Sequence, residues 1–261
     1  RDLHLSIRRQ RQMCIRDSTK PGKIQVIIDM RRGNCYFVTP DGMELMSPAG
    51  LAQMVLDPDE IMVISEADLD NYYYRCRIPE EYWEYMGLPE VRVGDLGLTA
   101  EEMAELAPGC SEDDTMFPVM CVLPMGWAHS PLIAQDAHEQ MLEENSDLKE
   151  SNRLRESKPV GRRKRGHFSY IDDTVVVVVG KRSDLARQLR ECDALMSSAL
   201  SAYAGAGIPV RPDKVVSAAL RMTVLGMFID GDKGEVSVGS ARRRRLEAAL
   251  GYLLGGGVCN G

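Results

Sequence analysis

The sequence predicts an α+β fold, a central antiparallel sheet with helices packed on one face. Three observations carry this expectation. Residues 167–171 and 174–179 are β-rich runs separated only by Asp172-Asp173, which reads as a tight hairpin. Residues 130–144 and 183–203 carry apolar side chains at helical spacing. Further extended segments alternate with these two helices. With 261 residues, 44% hydrophobic and 27% charged, the chain has material for one large domain or two small ones.

In chain order, residues 1–16 are arginine-rich without an apolar stretch, and 1–18 reads as a non-native or disordered leader outside the fold. Residues 23–30 alternate polar and apolar side chains, meet an Arg-Arg-Gly-Asn turn and lead to a second short run at 35–38, a pattern of strand, turn and strand. Ser47-Pro48 places a capping hydroxyl before a first-turn proline, so a short helix is expected through Leu56, ended by Asp57-Pro58. Residues 61–64 form a buried strand running into Ser65-Glu66-Ala67-Asp68. Residues 95–114 are acidic without apolar period and read as a solvated insertion, after which 117–123 returns to strand character. Ser130-Pro131 repeats the capping pattern at the head of the 130–144 helix. Residues 145–166 are polar, with a basic cluster at Arg162, Arg163, Lys164 and Arg165, and are expected to form a mobile loop. The 183–203 helix ends at Gly205 and Gly207, and 208–216 and 222–229 are extended.

Composition excludes several chemistries. The formal charge of −7 argues against a protein that coats nucleic acid through a basic surface, although a local basic channel is compatible with it. Seven scattered cysteines contain no C-x-x-C pair, and four histidines form no H-E-x-x-H. Neither a P-loop nor a dinucleotide-binding glycine pattern occurs. No apolar run reaches the ~18 to 20 residues of a membrane span, so no membrane partner is expected; the scattered cysteines and the lack of a secretory signal at the start read as an intracellular (cytoplasmic or nuclear) protein that is not secreted.

Chemistry concentrates at Tyr170-Ile171-Asp172-Asp173. A hairpin between β-branched strands ordinarily wants glycine or asparagine in its turn, and two adjacent carboxylates beside an apolar strand repel and lose hydration. A divalent cation with oxygen ligands relieves both penalties. A further carboxylate, Asp68, ends the 61–64 strand and is followed by Leu69-Asp70-Asn71-Tyr72-Tyr73. A third element is Leu123-Pro124-Met125-Gly126 leading to Ser130-Pro131.

These three elements, in this order, resemble motifs A, B and C of the reverse transcriptase palm, and most closely that of retrotransposon-type enzymes. The similarity spans roughly residues 20–230. It implies a right-hand polymerase: a fingers-like segment over 19–60 and a ferredoxin-like palm over 61–230, with insertions near 95–115 and 145–166. Residues 231–261 then form a partial connection toward a missing or truncated thumb. The resemblance implies that Asp68, Asp172 and Asp173, with the Leu69 carbonyl, hold two Mg²⁺ ions, for which Mn²⁺ can substitute. It places Lys20, Lys23, Asn71, Tyr72, Tyr73, Met125, Gly126 and Lys214 around the nucleotide, and Tyr170, Leu225 and Gly226 on the primer and template. Tyr73 stands where the family sets an aromatic under the sugar to reject a 2′-hydroxyl. The implied partners are an RNA template, a DNA or RNA primer and dNTPs.

Some residues keep a competing reading. Lys214 also suits an ordinary exposed turn, and Arg242 to Arg245 suit either a phosphate backbone or a solvated helix face. His129 suits either a contact to template or a satisfied structural histidine, and His138 reads as a surface or core residue rather than a ligand. The chain departs from the family at Gln25, where an arginine is common, and at Met125, often Gln or Phe. Two rivals follow: an RNA-dependent RNA polymerase, and a decayed palm that binds nucleic acid without extending primers.

Overall fold

The structure, a computed structural model, describes residues 12–17 and 24–254. The strands are β1 (Gln12–Asp17), β2 (Ile24–Asp29), β3 (Glu60–Asp68), β4 (Val91–Arg92), β5 (Thr115–Met116), β6 (Arg165–Tyr170), β7 (Asp173–Lys181), β8 (Val216–Ala219), β9 (Arg221–Val224), β10 (Met227–Asp230) and β11 (Glu235–Val238). The helices are α1 (Pro48–Leu51), α2 (Ala100–Leu106), α3 (Ser130–Asn145), α4 (Leu185–Gly205) and α5 (Ser240–Leu254). They divide into two compact units. One takes the chain up to Gly42 and again from Asn71 to Ala134; the other takes Met43 to Asp70 and everything from Gln135.

The second unit is built on an antiparallel sheet of order β6-β7-β3-β8. Five consecutive valines, Val175 to Val179, make β7 a stiff, β-branched strand buried on both faces. Its partner β3 is buried through its first six residues, with Ile64 opposite Val177 and Ser65 opposite Val176. Alternation along the pleat then assigns the faces. Val175, Val177 and Val179, with Met62, Ile64 and Phe168, join Met46, Leu51, Leu154, Val160, Val224 and Ile229 in one apolar core. The opposite face carries the two long helices, as expected: Cys192 of α4 lies 3.2 Å from Ser65 Oγ, and Gln135 of α3 donates to the Ser169 carbonyl. A small sheet, β11-β10-β9, completes the first face.

The extended run 222–229 is a hairpin of β9 and β10, as the family resemblance implies for Thr223-Val224-Leu225-Gly226. Leu225 and Gly226 both take positive φ (48° and 78°), as a two-residue loop of the mirror-image type demands. The 145–166 segment departs from expectation. Leu148, Leu154 and Val160 are buried, and the buried guanidinium of Arg153 pairs with Glu139 at 2.7 Å and Glu150 at 3.0 Å. In its basic cluster, Arg162 pairs with Asp57 and Lys164 with Glu60, carboxylates distant in sequence. Buried leucines and ion partners distant in sequence thus turn a polar stretch into part of the fold. The 47–56 helix is only the four residues of α1, with Ser47 Oγ accepting from the Gly50 N–H.

In the first unit, β2 pairs with β1 from Gln12 opposite Asp29 to Asp17 opposite Ile24, so part of the supposed leader is a strand. The expected strand at 35–38 does not form: Gly33–Tyr36 are a 3-10 turn, with the Phe37 N–H on the Asn34 carbonyl at 3.2 Å. Strand character at 117–123 is reduced to isolated bridges at Val119 and Val122, since Pro118 and Pro124 offer no N–H to a ladder. The acidic 95–114 insertion contains α2, opened by a capping box between Thr99 and Glu102. At the head of α3, Ser130 does not cap; its hydroxyl donates to the Pro124 carbonyl at 2.8 Å. No helix among the described residues is long and apolar enough to cross a membrane.

Candidate active site

Tyr170 and Asp173 are opposed in the β6-β7 ladder, so the two loop residues are Ile171 and Asp172. The loop therefore lies one residue earlier than the Asp172-Asp173 turn expected from the sequence, which places Asp173 on the strand, directly opposite Asp68 at the end of β3. Residue 69 is fixed from both sides: the Leu69 N–H donates to the Asp172 carbonyl at 2.9 Å, and Leu69 bridges to Val210. The Arg211 N–H reaches the Asp68 carbonyl at 2.9 Å. Three stretches distant in sequence therefore meet at one sheet end, bringing together Asp68, Leu69, Asp172, Asp173 and the turn that carries Lys214.

Charge at this end is crowded. Burial first, then Asp172 and Asp68, push the Asp173 carboxyl up to about 7, with Lys214 and Arg211 acting the other way. Asp172 is raised by burial and by Asp68. Glu66, two residues before Asp68 and hence on the same face of β3, is pushed up to about 7 by burial and by Asp173. Sequence reasoning missed Glu66, although its period-two spacing from Asp68 was the available signal. It also missed Arg211, whose Nη1 lies 3.4 Å from Asp68 Oδ2 and whose Nη2 lies 3.1 Å from Asp213.

An all-oxygen set of mutually repelling carboxylates suits a hard divalent cation such as Mg²⁺. The fit lies in donor chemistry and charge rather than in a closed cage. Among the described residues no three His, Cys, Asp or Glu side chains already converge to hold a metal ion, and Asp68 is turned toward Arg211.

The remaining candidates fall elsewhere. Tyr170 ends β6, and Leu225 and Gly226 form the β9-β10 turn. In the first unit, Asn71 is left-handed (φ 53°) and opens the 3-10 turn Tyr72–Arg75. Tyr72 is buried with its hydroxyl on the Ala134 carbonyl, whereas Tyr73 is half-buried. The Met125 carbonyl accepts from the Ile28 N–H at 3.0 Å, and Asn34 bridges to the Gly126 carbonyl and the Ala128 N–H, each at 3.0 Å. Lys20 and Lys23 lie outside the described residues.

Gly126 has a structural requirement of its own. At φ 111°, a Cβ there would stand 2.1 Å from the Ile28 carbonyl oxygen. Gly126→Ala is therefore expected to destabilise the first unit by about 2–4 kcal/mol, from backbone strain and overpacking together. Urea unfolding followed by Trp127 fluorescence measures it, and an unchanged midpoint would refute this packing role.

A family model for reverse transcriptase (RNA-dependent DNA polymerase) matches residues 28–229. Among solved structures, the foamy viral protease-reverse transcriptase dRH bound to double-stranded DNA is similar at TM-score 0.56 and 15% identity, covering 90% of this chain and 32% of that one. The foamy viral enzyme with an RNA/DNA hybrid gives 0.56 and 16%, covering 90% of this chain and 24% of its own. A third, with double-stranded DNA, gives 0.52 and 17%, with 90% and 40% covered. The chain thus spans well under half the length of these neighbours, whose likeness is one of fold. No curated protein matches it. With the family model covering most of the chain, and the carboxylates of two separate sequence motifs opposed at one sheet end, the chain belongs to the reverse transcriptase (RNA-dependent DNA polymerase) family.

Proposed function

We propose that this chain carries the catalytic palm of an RNA-directed DNA polymerase and adds deoxynucleotides to a primer 3′-hydroxyl on an RNA template. The observation that carries the reading is the opposition of Asp68 and Asp173 beside the Asp172 turn. Asp68, Asp172 and Asp173, with the Leu69 carbonyl, would hold two Mg²⁺ ions, or Mn²⁺ in their place. Bound there, the metal supplies the Lewis acidity that lowers the pKa of the 3′-hydroxyl and neutralises triphosphate charge.

The chain's own residues do the positioning. The β3-β7 ladder holds Asp68 opposite Asp173, which supports joint action of these carboxylates. Lys214, whose ammonium acts on Asp173 and Glu66, would face the leaving pyrophosphate. Lys20 and Lys23 would offer positive charge to the triphosphate. Asn71, Tyr72, Met125 and Gly126 would shape the nucleotide site, and Tyr170 with the Leu225-Gly226 turn would bear on primer and template. The Tyr73 ring would exclude a 2′-hydroxyl, which selects DNA over RNA synthesis.

Extension of oligo(dT) on poly(rA) tests this. The chain is expected to use dTTP and to reject UTP, and Tyr73→Gly is expected to raise UTP use relative to dTTP by about 10- to 100-fold. Preferential UTP use by the unaltered chain would instead identify an RNA polymerase. A folded sample that binds primer and template without extending them would identify a nucleic-acid-binding palm.

A further inference from the structure

The Ile171-Asp172 loop is an unfavourable piece of backbone in a demanding place. Ile171 sits at φ 58°, in the left-handed region that β-branched residues rarely adopt and where hairpin loops of this length prefer glycine. Such a conformation persists only where its surroundings over-determine it. Here both backbone groups of Ile171 are taken by side chains of one helix. Its N–H donates to Gln135 Oε1 at 2.7 Å, and its carbonyl meets His138 Nδ1 at 2.8 Å.

His138 is fully buried, and its second ring nitrogen is engaged as well. Nε2 lies 2.8 Å from the Tyr203 hydroxyl and 3.0 Å from Thr174 Oγ1, and those two hydroxyls are 2.5 Å apart. A carbonyl can only accept, so Nδ1 carries the proton, and Nε2 accepts from a hydroxyl. Burial holds this imidazole at about 4, so it is neutral and has one proton to place. His138 therefore touches the residue before and the residue after Asp172-Asp173.

We propose that His138 is a positioning residue: by donating from Nδ1 to the Ile171 carbonyl it holds the left-handed turn that aims Asp172 and Asp173 at Asp68. This deepens the function proposed above and rests on it for its kinetic consequence. Two variants separate the role from packing. In His138→Asn the amide nitrogen takes the place of Nδ1 and keeps the bond to Ile171. In His138→Gln it takes the place of Nε2, which keeps the Tyr203 and Thr174 side and abandons the turn.

The test combines amide hydrogen exchange over residues 169–174 with kcat and KM for dTTP on primed poly(rA), each variant's melting temperature being recorded. His138→Gln is expected to speed exchange at the turn by about 10-fold or more, and to lower kcat about 10-fold with KM within about twofold. His138→Asn is expected to stay within about threefold of the parent in both. Tyr203→Phe, which leaves the Nδ1 bond in place, should not speed exchange at the turn, and so decides the matter should the His138 variants fail to fold. The proposal is overturned if the Asn and Gln variants change alike, if both merely follow their loss of melting temperature, or if Tyr203→Phe loosens the turn. A parent chain that does not extend primers refutes the polymerase reading alone, since exchange at the turn still decides the role of His138.

Discussion

Asp172→Asn is expected to lower primer extension at least ~10³-fold, a loss of about 4 kcal/mol in transition-state stabilisation, without loss of fold. Asp173→Asn should do the same, because each removes a charged oxygen donor from the sheet end where Asp68, Asp172 and Asp173 meet. Stability should move the other way. The Asp173 carboxyl is raised in the folded chain to about 7 from an ordinary value near 3.8, so the folded state binds more protons between those limits. Its contribution is therefore unfavourable above about pH 7 and relieved as pH falls toward 4.

Asp173→Asn should accordingly melt higher than the parent at pH 8 in the absence of divalent ions, by about 2–4 °C for each kcal/mol relieved. That gain should shrink toward pH 5. The comparison between parent and variant is the informative one, because buried His138 and His167, both held at about 4, impose the opposite pH trend on the two proteins alike. A variant that melts lower at pH 8 would contradict the charge crowding on which the site is argued.

Glu139→Ala is the change expected to cost the fold most. The Arg153 guanidinium is only 8% exposed and is held by Glu139 Oε2 at 2.7 Å, by the Glu139 carbonyl at 3.3 Å and by the more open Glu150. Removing Glu139 leaves a buried charge with one half-exposed partner, which costs about 3–5 kcal/mol. Glu139 also accepts from Gln135, whose other end holds the Ile171 N–H, so extension should fall as well. Urea unfolding measures the first effect. The double variant Glu139→Leu with Arg153→Leu should recover much of the lost stability, since apolar replacement of both partners leaves no orphaned charge. A single variant within about 1 kcal/mol of the parent would show the pair to be solvated.

What was legible in the sequence was what local chemistry decides. The Val175 to Val179 run can only be a buried strand, Ser130-Pro131 marks the head of a helix whichever group the serine bonds, and Asp172-Asp173 beside valines requires a reason. The missed features depend on partners elsewhere in the chain. Leu154 reads as one apolar residue in a polar loop until its N–H is seen on the His167 carbonyl, and Arg153 reads as solvated until Glu139 is placed beside it. The loop register slipped because Ile171 is a poor candidate for positive φ on propensity alone; Gln135 and His138, more than thirty residues away, make it tenable. Arg211 and Glu66 joined the site for a like reason, through strand pairing and alternation rather than through any motif. The short helix α2 was not legible in the acidic 95–114 stretch, since it buries no residue and its one local signal is the Thr99-x-x-Glu102 capping box.

The most direct test of the carboxylate site needs no polymerase turnover and reads the sheet end itself. It is a titration with Mn²⁺, read as free ion by electron paramagnetic resonance, comparing the parent with the Asp68→Asn, Asp172→Asn double variant at pH 7.5. The account predicts that the parent takes up Mn²⁺, that Mg²⁺ displaces it, and that the double variant loses the uptake while remaining folded. Equal uptake by the two proteins, or none by either, would contradict it.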